Sequence, residues 1–390
     1  MSGEPTRPGP LTLGILGGGQ LCRMTAVAAL RLGVRVRILT DAATGPEAPF
    51  ADVTVGDWTD PAVLRAWAAG CTAVTVESEW APVEQLADVL PAGVAVWPSP
   101  ATLLAVRHKG RQRDALAAAG LPQPRYARAA TLADAQDAAR RFGGTVVAKR
   151  FEGSYDGYGN ATCRTPADVT GAWKRLAARD GLLVEAFVPF EAEAAVTVAR
   201  SPTGETAVYP LVRSEHRDHR LHAAWLPSGL PAEQEANGQR VAVATAEAFG
   251  TVGVATVEVF LLPGGEVLVN EVAPRPHNTA HGTIEACHTS QFENHVRAVL
   301  GLPLGAPGLR VRAACTVNVL GPDAGGPSLD LQAALHVRGV CVHLYGKTES
   351  RPARKMGHVT ATAGTAAEAR HLAEGAAARL VTGRPESGLA

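Results

Sequence analysis

Apolar and polar positions change in blocks along the first hundred residues. A short apolar run at 11–16 (LTLGIL) stops at Gly17-Gly18-Gly19-Gln20. An Ala- and Leu-rich segment follows at 21–32, and after Gly33 the run VRVRIL occupies 34–39. Strand, glycine turn, helix and strand in that order predict a βαβ unit with a right-handed parallel crossover. Apolar runs at 73–76 and 94–97 continue the alternation, so the chain up to about residue 100 reads as a doubly wound α/β domain.

Pro98-Ser99-Pro100 marks a boundary. Beyond it the pattern predicts a helix over 101–120, a strand over 144–150 (GTVVAKR), a glycine-rich loop at 152–160, a helix over 166–178 and a strand over 182–187. From 241 onward come a helix, a strand at 254–260, the turn Pro263-Gly264-Gly265 and a strand at 266–270, an arrangement typical of a hairpin. The last piece, from about 309, has β-like runs at 310–319, 340–344 and 358–363 and a closing Ala-rich helix, which makes a third lobe.

Composition narrows the function classes. Lys+Arg and Asp+Glu are both 37 in 390 residues, a zero formal charge that argues against a generic nucleic-acid binder or a basic membrane-surface protein. With 46% hydrophobic and 19% charged residues the chain can bury sizeable cores. The six cysteines (Cys22, Cys71, Cys163, Cys287, Cys315, Cys341) are scattered without a CxxC, as expected of small buried thiols in a reduced compartment. The N-terminus has Pro and Glu where a signal peptide is basic, and no apolar run reaches the roughly 18–20 residues of a membrane span. A soluble, cytoplasmic protein is the expectation.

Four places hold residues that can carry chemistry. The Gly17–Gly19 turn resembles a dinucleotide turn, with Asp41 at the distance of a ribose partner, but GILGGGQL does not match G-x-G-x-x-G. It predicts backbone N–H groups facing an anion at a helix N-terminus, or a bare strand-to-helix turn. Lys149 followed by EGSYDGYGN can offer one charge and several backbone donors to a polyphosphate. The order is not that of a Walker loop, and a surface hairpin has the same glycine content. Glu258 interrupts the apolar run VATVEVFLL, where an unpaired carboxylate is expensive to bury, and Glu271 ends the partner run beside Asn270. Two carboxylates and an amide from adjacent strands suit Mg²⁺ with nucleotide phosphates; the competing reading is a structural ion pair with Arg275. Finally, Arg275-Pro276-His277-Asn278 and His281 follow that strand, and 345–358 (YGKTESRPARKMGH) puts four cations in nine residues. That segment is either a solvated basic loop or a phosphate pocket.

Taken together these motifs resemble one family. The glycine-rich first domain, the lysine and glycine loop, E-x-F-V-P-F at 185–190 and VNEVAPRPHN at 269–278 resemble the ATP-grasp ligases of purine synthesis. TIEACHTSQFENHVRAVLGLPLG and YGKTESRPARKMGHVT are similar in particular to the N5-carboxyaminoimidazole ribonucleotide synthetases, and the likeness runs from Leu13 to about residue 360.

The resemblance implies an ATP-grasp fold of α/β and α+β type. A Rossmann-like pre-ATP-grasp domain would span 1–103 and the ATP-grasp domain 104–308, with a lid lobe to about 187 and a metal-binding lobe from about 188. A small β-rich C-terminal domain would span 309–390. It implies carboxylation of aminoimidazole ribonucleotide by bicarbonate with ATP and Mg²⁺ (or Mn²⁺), in a homodimer, without nucleic acid or membrane. Lys109 and Lys149 would contact ATP, and Ser154, Tyr155, Asp156, Gly157, Tyr158, Gly159 and Asn160 would close over its phosphates. Glu185, Ala186, Phe187 and Val188 would hold the adenine edge, and Glu193 the ribose with His216 nearby. Asn270 and Glu271 would meet the phosphates, with Glu258 and Glu271 on the metal. Gly18, Gly19, Gln20, Leu21, Glu77, Glu79, Lys347 and Arg354 would surround the ribonucleotide, and Arg275 and Lys355 the bicarbonate-derived group.

That chemistry accounts for the inventory. Bicarbonate is a poor electrophile until ATP turns one hydroxyl into a phosphate leaving group, a step that needs alignment and charge neutralisation. The product of that step is water-labile, which gives the glycine loop a role as a lid. The chain departs from the family pattern in places. Tyr158 stands where the loop usually has a cation, Ser78 and Trp80 alter the E-F-E-N-V-P stretch, and Ala353 precedes Arg354-Lys355 in place of glycine. Another ATP-grasp ligase with a different amine acceptor, such as a formate-using glycinamide ribonucleotide transformylase, or a non-catalytic nucleotide-binding regulator are the alternatives.

Overall fold

The computed structural model describes residues 10–43, 45–153, 159–176, 178–321, 329–347, 350 and 354–382. Its first domain comprises β1 (Thr12–Leu16), α1 (Gln20–Arg31), β2 (Arg35–Thr40), β3 (Asp52–Val55), α2 (Pro61–Ala68), β4 (Ala73–Val76), α3 (Leu86–Val89) and β5 (Ala95–Val96). The strands form a parallel sheet in the order β3-β2-β1-β4-β5. Every residue of β1 and β4 is buried, as central parallel strands covered on both faces require. Leu13 and Ile15 pack with Ala26 and Ala29 of α1, while Leu16 packs with Leu64 and Trp67 of α2. The apolar pattern does not reveal α2; its signal is Asp60-Pro61, where the Asp60 side chain accepts the Ala62 N–H and proline takes the first helical position.

The helix expected over 101–120 is two helices, α4 (Pro100–Arg107) and α5 (Lys109–Ala118). His108, at φ −95° and ψ 105°, leaves the helix, and its Nδ1 accepts the Arg111 N–H to cap the second. The break makes Lys109 the first residue of a new helix.

The next layer holds β6 (Tyr126–Ala129), α6 (Leu132–Arg141), β7 (Val146–Arg150), β8 (Asn160–Cys163), α7 (Pro166–Arg175) and β9 (Leu182–Ala186), an antiparallel sheet ordered β6-β9-β7-β8. Both helices open with a capping box, Thr131 with Asp134 and Thr165 with Asp168. The expected lid residues Ser154, Tyr155, Asp156, Gly157 and Tyr158 lie outside the described residues.

The largest sheet is built from β10 (Ala192–Arg200), β11 (Thr206–Val208), β12 (Val212–Arg217), β13 (Arg220–Leu226), β14 (Gly253–Leu261), β15 (Val267–Ala273), β16 (Ala313–Leu320), β17 (Val340–Leu344) and β18 (Lys355–Ala363). Its order is β15-β14-β10-β12-β13-β16-β18-β17, with β11 on β10. The helices of this part are α8 (Ala232–Ala248), α9 (Thr283–Ala286), α10 (Gln291–Val299), α11 (Leu331–Leu335) and α12 (Ala366–Thr382). The C-terminal piece is joined to the rest through its strands. β16 pairs with β13, so β16 to β18 continue the sheet that carries Glu193, His216, Glu258 and Glu271. The helix expected from 241 starts at Ala232, because its polar first half shows no apolar stripe. Phe292, Val296 and Val299 of α10 join the core of the first domain, which docks that domain on the large sheet. Five of the six cysteines are buried free thiols and Cys341 is exposed. No described helix is long and apolar enough to cross a membrane.

Candidate active site

The glycine turn after β1 is crowded by carboxylates. A Cβ on Gly18 would meet the Glu47 carboxylate, which would have to move aside, while Gly19 has a φ of 155° that side chains rarely adopt and a Cβ there would lie 2.6 Å from Glu77 Oε1, so Gly19 is the position that favours glycine most. α1 has no side-chain cap at Gly19; instead Glu77, just past β4, accepts the Leu21 N–H. A carboxyl group of the protein itself thus meets this helix N-terminus. Burial pushes the Glu77 carboxyl up to about 7, against the pull of Arg275 and with a further push from Glu79.

Glu79 and Arg275 form a two-pronged ion pair, Nε to Oε2 at 2.6 Å and Nη2 to Oε1 at 3.2 Å. Burial alone would raise Glu79, but Arg275 holds it below the usual carboxylate range. The ion pair considered between Arg275 and the β14–β15 carboxylates is thus not made. Gln20 Oε1 accepts from Lys347 Nζ at 2.6 Å, and the same ammonium donates to the Lys355 carbonyl at 2.8 Å. Lys347 stands behind Gln20 and Lys355 and does not line the cavity itself.

On the opposite wall, Glu185 is 3% exposed and sits between two cations. Arg113 Nε reaches its Oε1 at 2.5 Å and Lys149 Nζ its Oε2 at 2.7 Å. Burial opposes the charge, yet Arg113 and Lys149 pull the carboxyl down to about 2. Arg113 also donates to the carbonyls of Val269 and Asn270 at 2.8 Å each, tying β9 to β15. Ala186, Phe187 and Val188 run along the cavity beyond this cage. Phe190 stacks on Phe260 with centroids 4.6 Å apart and 8° between planes, an apolar wall suited to a flat heterocycle.

Glu193 on β10 and His216 on β12 meet at 2.8 Å, Oε2 to Nδ1. A bulge between Glu215 and His216 re-aims the imidazole. Burial would lower His216, but the bond to Glu193 and the nearby Glu258 leave it raised. Glu258 and Glu271 are direct cross-strand partners on β14 and β15, next to a bulge. Burial and then Glu271 push Glu258 up, the mark of two carboxylates sharing one small space. Lys109 pairs with Glu271, and His277 Nε2 lies 3.7 Å from Glu258 Oε1. Among the described residues no three His, Cys, Asp or Glu side chains converge as a complete metal cage. Two carboxylates with the Asn270 amide beside them match Mg²⁺, which uses few protein ligands and takes the rest from water and phosphates.

One cavity of about 1060 Å³ joins these parts. Gln20, Leu21, Glu77 and Glu79 line it from the first domain, and Arg275 and Lys355 from the large sheet. Lys149, Asn160 and residues 185–188 line it from the smaller sheet. Glu193, His216, Glu258, Asn270 and Glu271 form the remaining wall. Gly18, Gly19, Lys109, Gly159 and Arg354 do not face it; Lys109 acts on the site through Glu271, and the Arg354 carbonyl accepts the Gly321 N–H. Sequence reasoning missed Arg113, whose helix context resembles any solvated arginine. It also missed Asp218 and His219, which line the cavity from the β12–β13 turn with φ 49° and 62°. His277 and Asn278 also line it, and their place directly after Arg275 was a signal.

Comparison with known proteins agrees with this geometry. Residues 11–107 match the ribonucleotide synthetase preATP-grasp domain, 114–292 the ATP-grasp domain and 314–372 the phosphoribosylaminoimidazole carboxylase C-terminal domain. An N5-carboxyaminoimidazole ribonucleotide synthase of Mycobacterium tuberculosis is 40% identical over 378 residues, covering 95% of this chain and 88% of the relative. A phosphoribosylaminoimidazole carboxylase of Schizosaccharomyces pombe is 40% identical over 357 residues; the match covers 89% of this chain and 64% of that longer protein. The crystal structure of an Aspergillus clavatus N5-carboxyaminoimidazole synthase in complex with ADP and 5-aminoimidazole ribonucleotide superposes with a TM-score of 0.87. It shares 29% identity over 95% of this chain and 99% of that one.

Proposed function

The chain belongs to the N5-carboxyaminoimidazole ribonucleotide synthase family of ATP-grasp ligases, and from that premise we propose how its own residues carboxylate 5-aminoimidazole ribonucleotide with bicarbonate and ATP in purine synthesis. One observation supports this reading above the others. A single cavity has a Lys149–Glu185 cage and a carboxylate pair at one end, and Arg275, Glu79 and Lys355 at the other.

In this reading the adenine lies against Phe187, Val188 and the Phe190–Phe260 stack, and Glu193, steadied by His216, takes the ribose hydroxyls. Lys149 shifts part of its charge from Glu185 to the phosphates. Glu258, Glu271 and Asn270 would hold Mg²⁺, or Mn²⁺ in its place, which when bound offsets the charge of the triphosphate and polarises its terminal phosphoryl group. A bicarbonate oxygen attacks the γ-phosphorus, the bond to ADP breaks, and carboxyphosphate forms. The amine nitrogen then bonds to the carboxyl carbon, in carboxyphosphate or in CO₂ released from it, and the phosphate, which departs with the oxygen that came from bicarbonate, takes up the proton that the amine loses. Arg275, locked in orientation by Glu79, and Lys355 stabilise the oxyanions of that exchange. Glu77 and Gln20 hold the ribonucleotide at the end of the first domain.

Coupled release of ADP with ATP, Mg²⁺ and bicarbonate tests the reading. ADP release that needs the ribonucleotide and collapses in Glu271→Gln agrees with it. Turnover indifferent to the ribonucleotide would point to another amine acceptor, and binding of ATP without turnover to a regulator.

A further inference from the structure

Behind the acceptor end of the cavity three imidazoles are in ring contact. His281 meets His358 at a tilt of 34° with ring centroids 4.7 Å apart, and His358 stacks on His343 at 4.4 Å with 14° between planes. His281 and His358 are fully buried, while His343 reaches toward the surface and its Nε2 meets Glu285 Oε1 at 2.7 Å. His358 Nδ1 is 2.9 Å from the buried Tyr345 hydroxyl.

The hydrogen bonds fix one tautomer. Gln291 Oε1 accepts the His277 N–H at 2.8 Å, so Gln291 Nε2 is the donor to the His277 carbonyl at 2.7 Å and to His281 Nδ1 at 3.3 Å. His281 Nδ1 is an acceptor, and its proton sits on Nε2. Among the described residues neither that Nε2 nor His358 Nε2 has a partner. Burial, with help from His343 and Lys355, pushes His281 down to about 3, and burial with His281 and His343 holds His358 well below its ordinary value. Rings this close stay stacked only while uncharged, since like charges at such spacing repel strongly in a dry interior.

Each ring belongs to a segment that carries a cation to the acceptor end. His281 shares a loop with Arg275, His358 follows Lys355 on β18, and His343 on β17 precedes Lys347. β17 and β18 are paired at His343 and His358 themselves. We propose that the His281–His358–His343 stack is a positioning element that sets the spacing of Arg275, Lys355 and Lys347, and so governs capture of the acceptor ribonucleotide while leaving the nucleotide end untouched. The assignment rests on the carboxylation reading above.

His358→Phe keeps a ring and removes both nitrogens; Tyr345→Phe removes only the hydroxyl. Calorimetry with aminoimidazole ribonucleotide and, separately, with MgADP compares each variant with the wild type. The expected result is ribonucleotide binding weakened roughly tenfold in His358→Phe and less in Tyr345→Phe, with MgADP affinity within about twofold. The imidazole ¹⁵N spectrum of the wild type should show His281 neutral with its proton on Nε2 at pH 6. Unchanged ribonucleotide binding in folded variants, equal weakening of both ligands, or an Nδ1–H tautomer at His281 overturns the proposal. If His358→Phe does not fold, Tyr345→Phe and the tautomer decide. A wild type that binds no ribonucleotide contradicts the carboxylation reading instead, and the tautomer then judges the stack alone.

Discussion

Replacing Glu185 by glutamine removes one charge from the centre of the molecule with almost no change of shape. The carboxylate is 3% exposed and accepts from Arg113 at 2.5 Å and Lys149 at 2.7 Å. These cations bring its pKa from the ordinary 4.5 to about 2, a difference of 4.5 − 2, which at about 1.4 kcal/mol per unit is worth about 3 kcal/mol. Because the folded value is the depressed one, the contribution is fully present above the unfolded pKa and fades as pH falls from about 4.5 toward 2. In Glu185→Gln two cations remain with no counter-charge, and the amide cannot accept from both as the carboxylate does. Urea denaturation followed by circular dichroism should give a loss of about 3 kcal/mol at pH 7, narrowing by about 1 kcal/mol at pH 4, since by then wild-type stability from this group has begun to decline. A loss under about 0.5 kcal/mol at pH 7, or a gap that widens at pH 4, would refute the reasoning.

Other perturbations separate the two ends of the cavity. Glu258 is pushed up by burial and Glu271, so the metal-free protein should lose stability as pH rises past the ordinary carboxylate range; Glu258→Gln should raise its melting temperature at pH 8 and abolish the further rise on adding Mg²⁺. Glu79→Ala frees Arg275 from its two-pronged hold and should lower kcat about a hundredfold while the dissociation constant of MgADP stays within twofold, as measured by calorimetry. Phe190→Ala removes one partner of the stack on Phe260 and should raise the KM for ATP about three- to tenfold with kcat nearly constant.

Local rules carried the reading wherever chemistry and chain pattern coincide. The first βαβ unit, the hairpin at Pro263-Gly264-Gly265 and the facing carboxylates Glu258 and Glu271 all follow from short-range periodicity, turn residues and the cost of a carboxylate in an apolar run. Long-range pairing did not announce itself. Nothing near residue 313 says that β16 will lie beside β13, so the merging of the C-terminal strands with the large sheet was invisible. Arg113 is the same kind of case, since only the arrival of β9 and β15 around α5 turns a helical arginine into a buried strut. The break at His108 depends on one residue's backbone within a continuous helix-forming run. The glycine turn shows the converse: its tightness was legible, but the carboxyl group that accepts the Leu21 N–H comes from Glu77, some sixty residues on, just past β4.

The central claim is that ATP activates bicarbonate for transfer to the ribonucleotide amine, and the fate of one oxygen atom tests it most directly. Turnover is run with ¹⁸O-bicarbonate, with carbonic anhydrase rigorously excluded, and the phosphate released is examined by its ³¹P isotope shift. The phosphate should carry one ¹⁸O, form only when aminoimidazole ribonucleotide is present, and be absent in Glu271→Gln. Unlabelled phosphate released at the same rate would contradict it, because ATP would then be phosphorylating water or the acceptor and not bicarbonate.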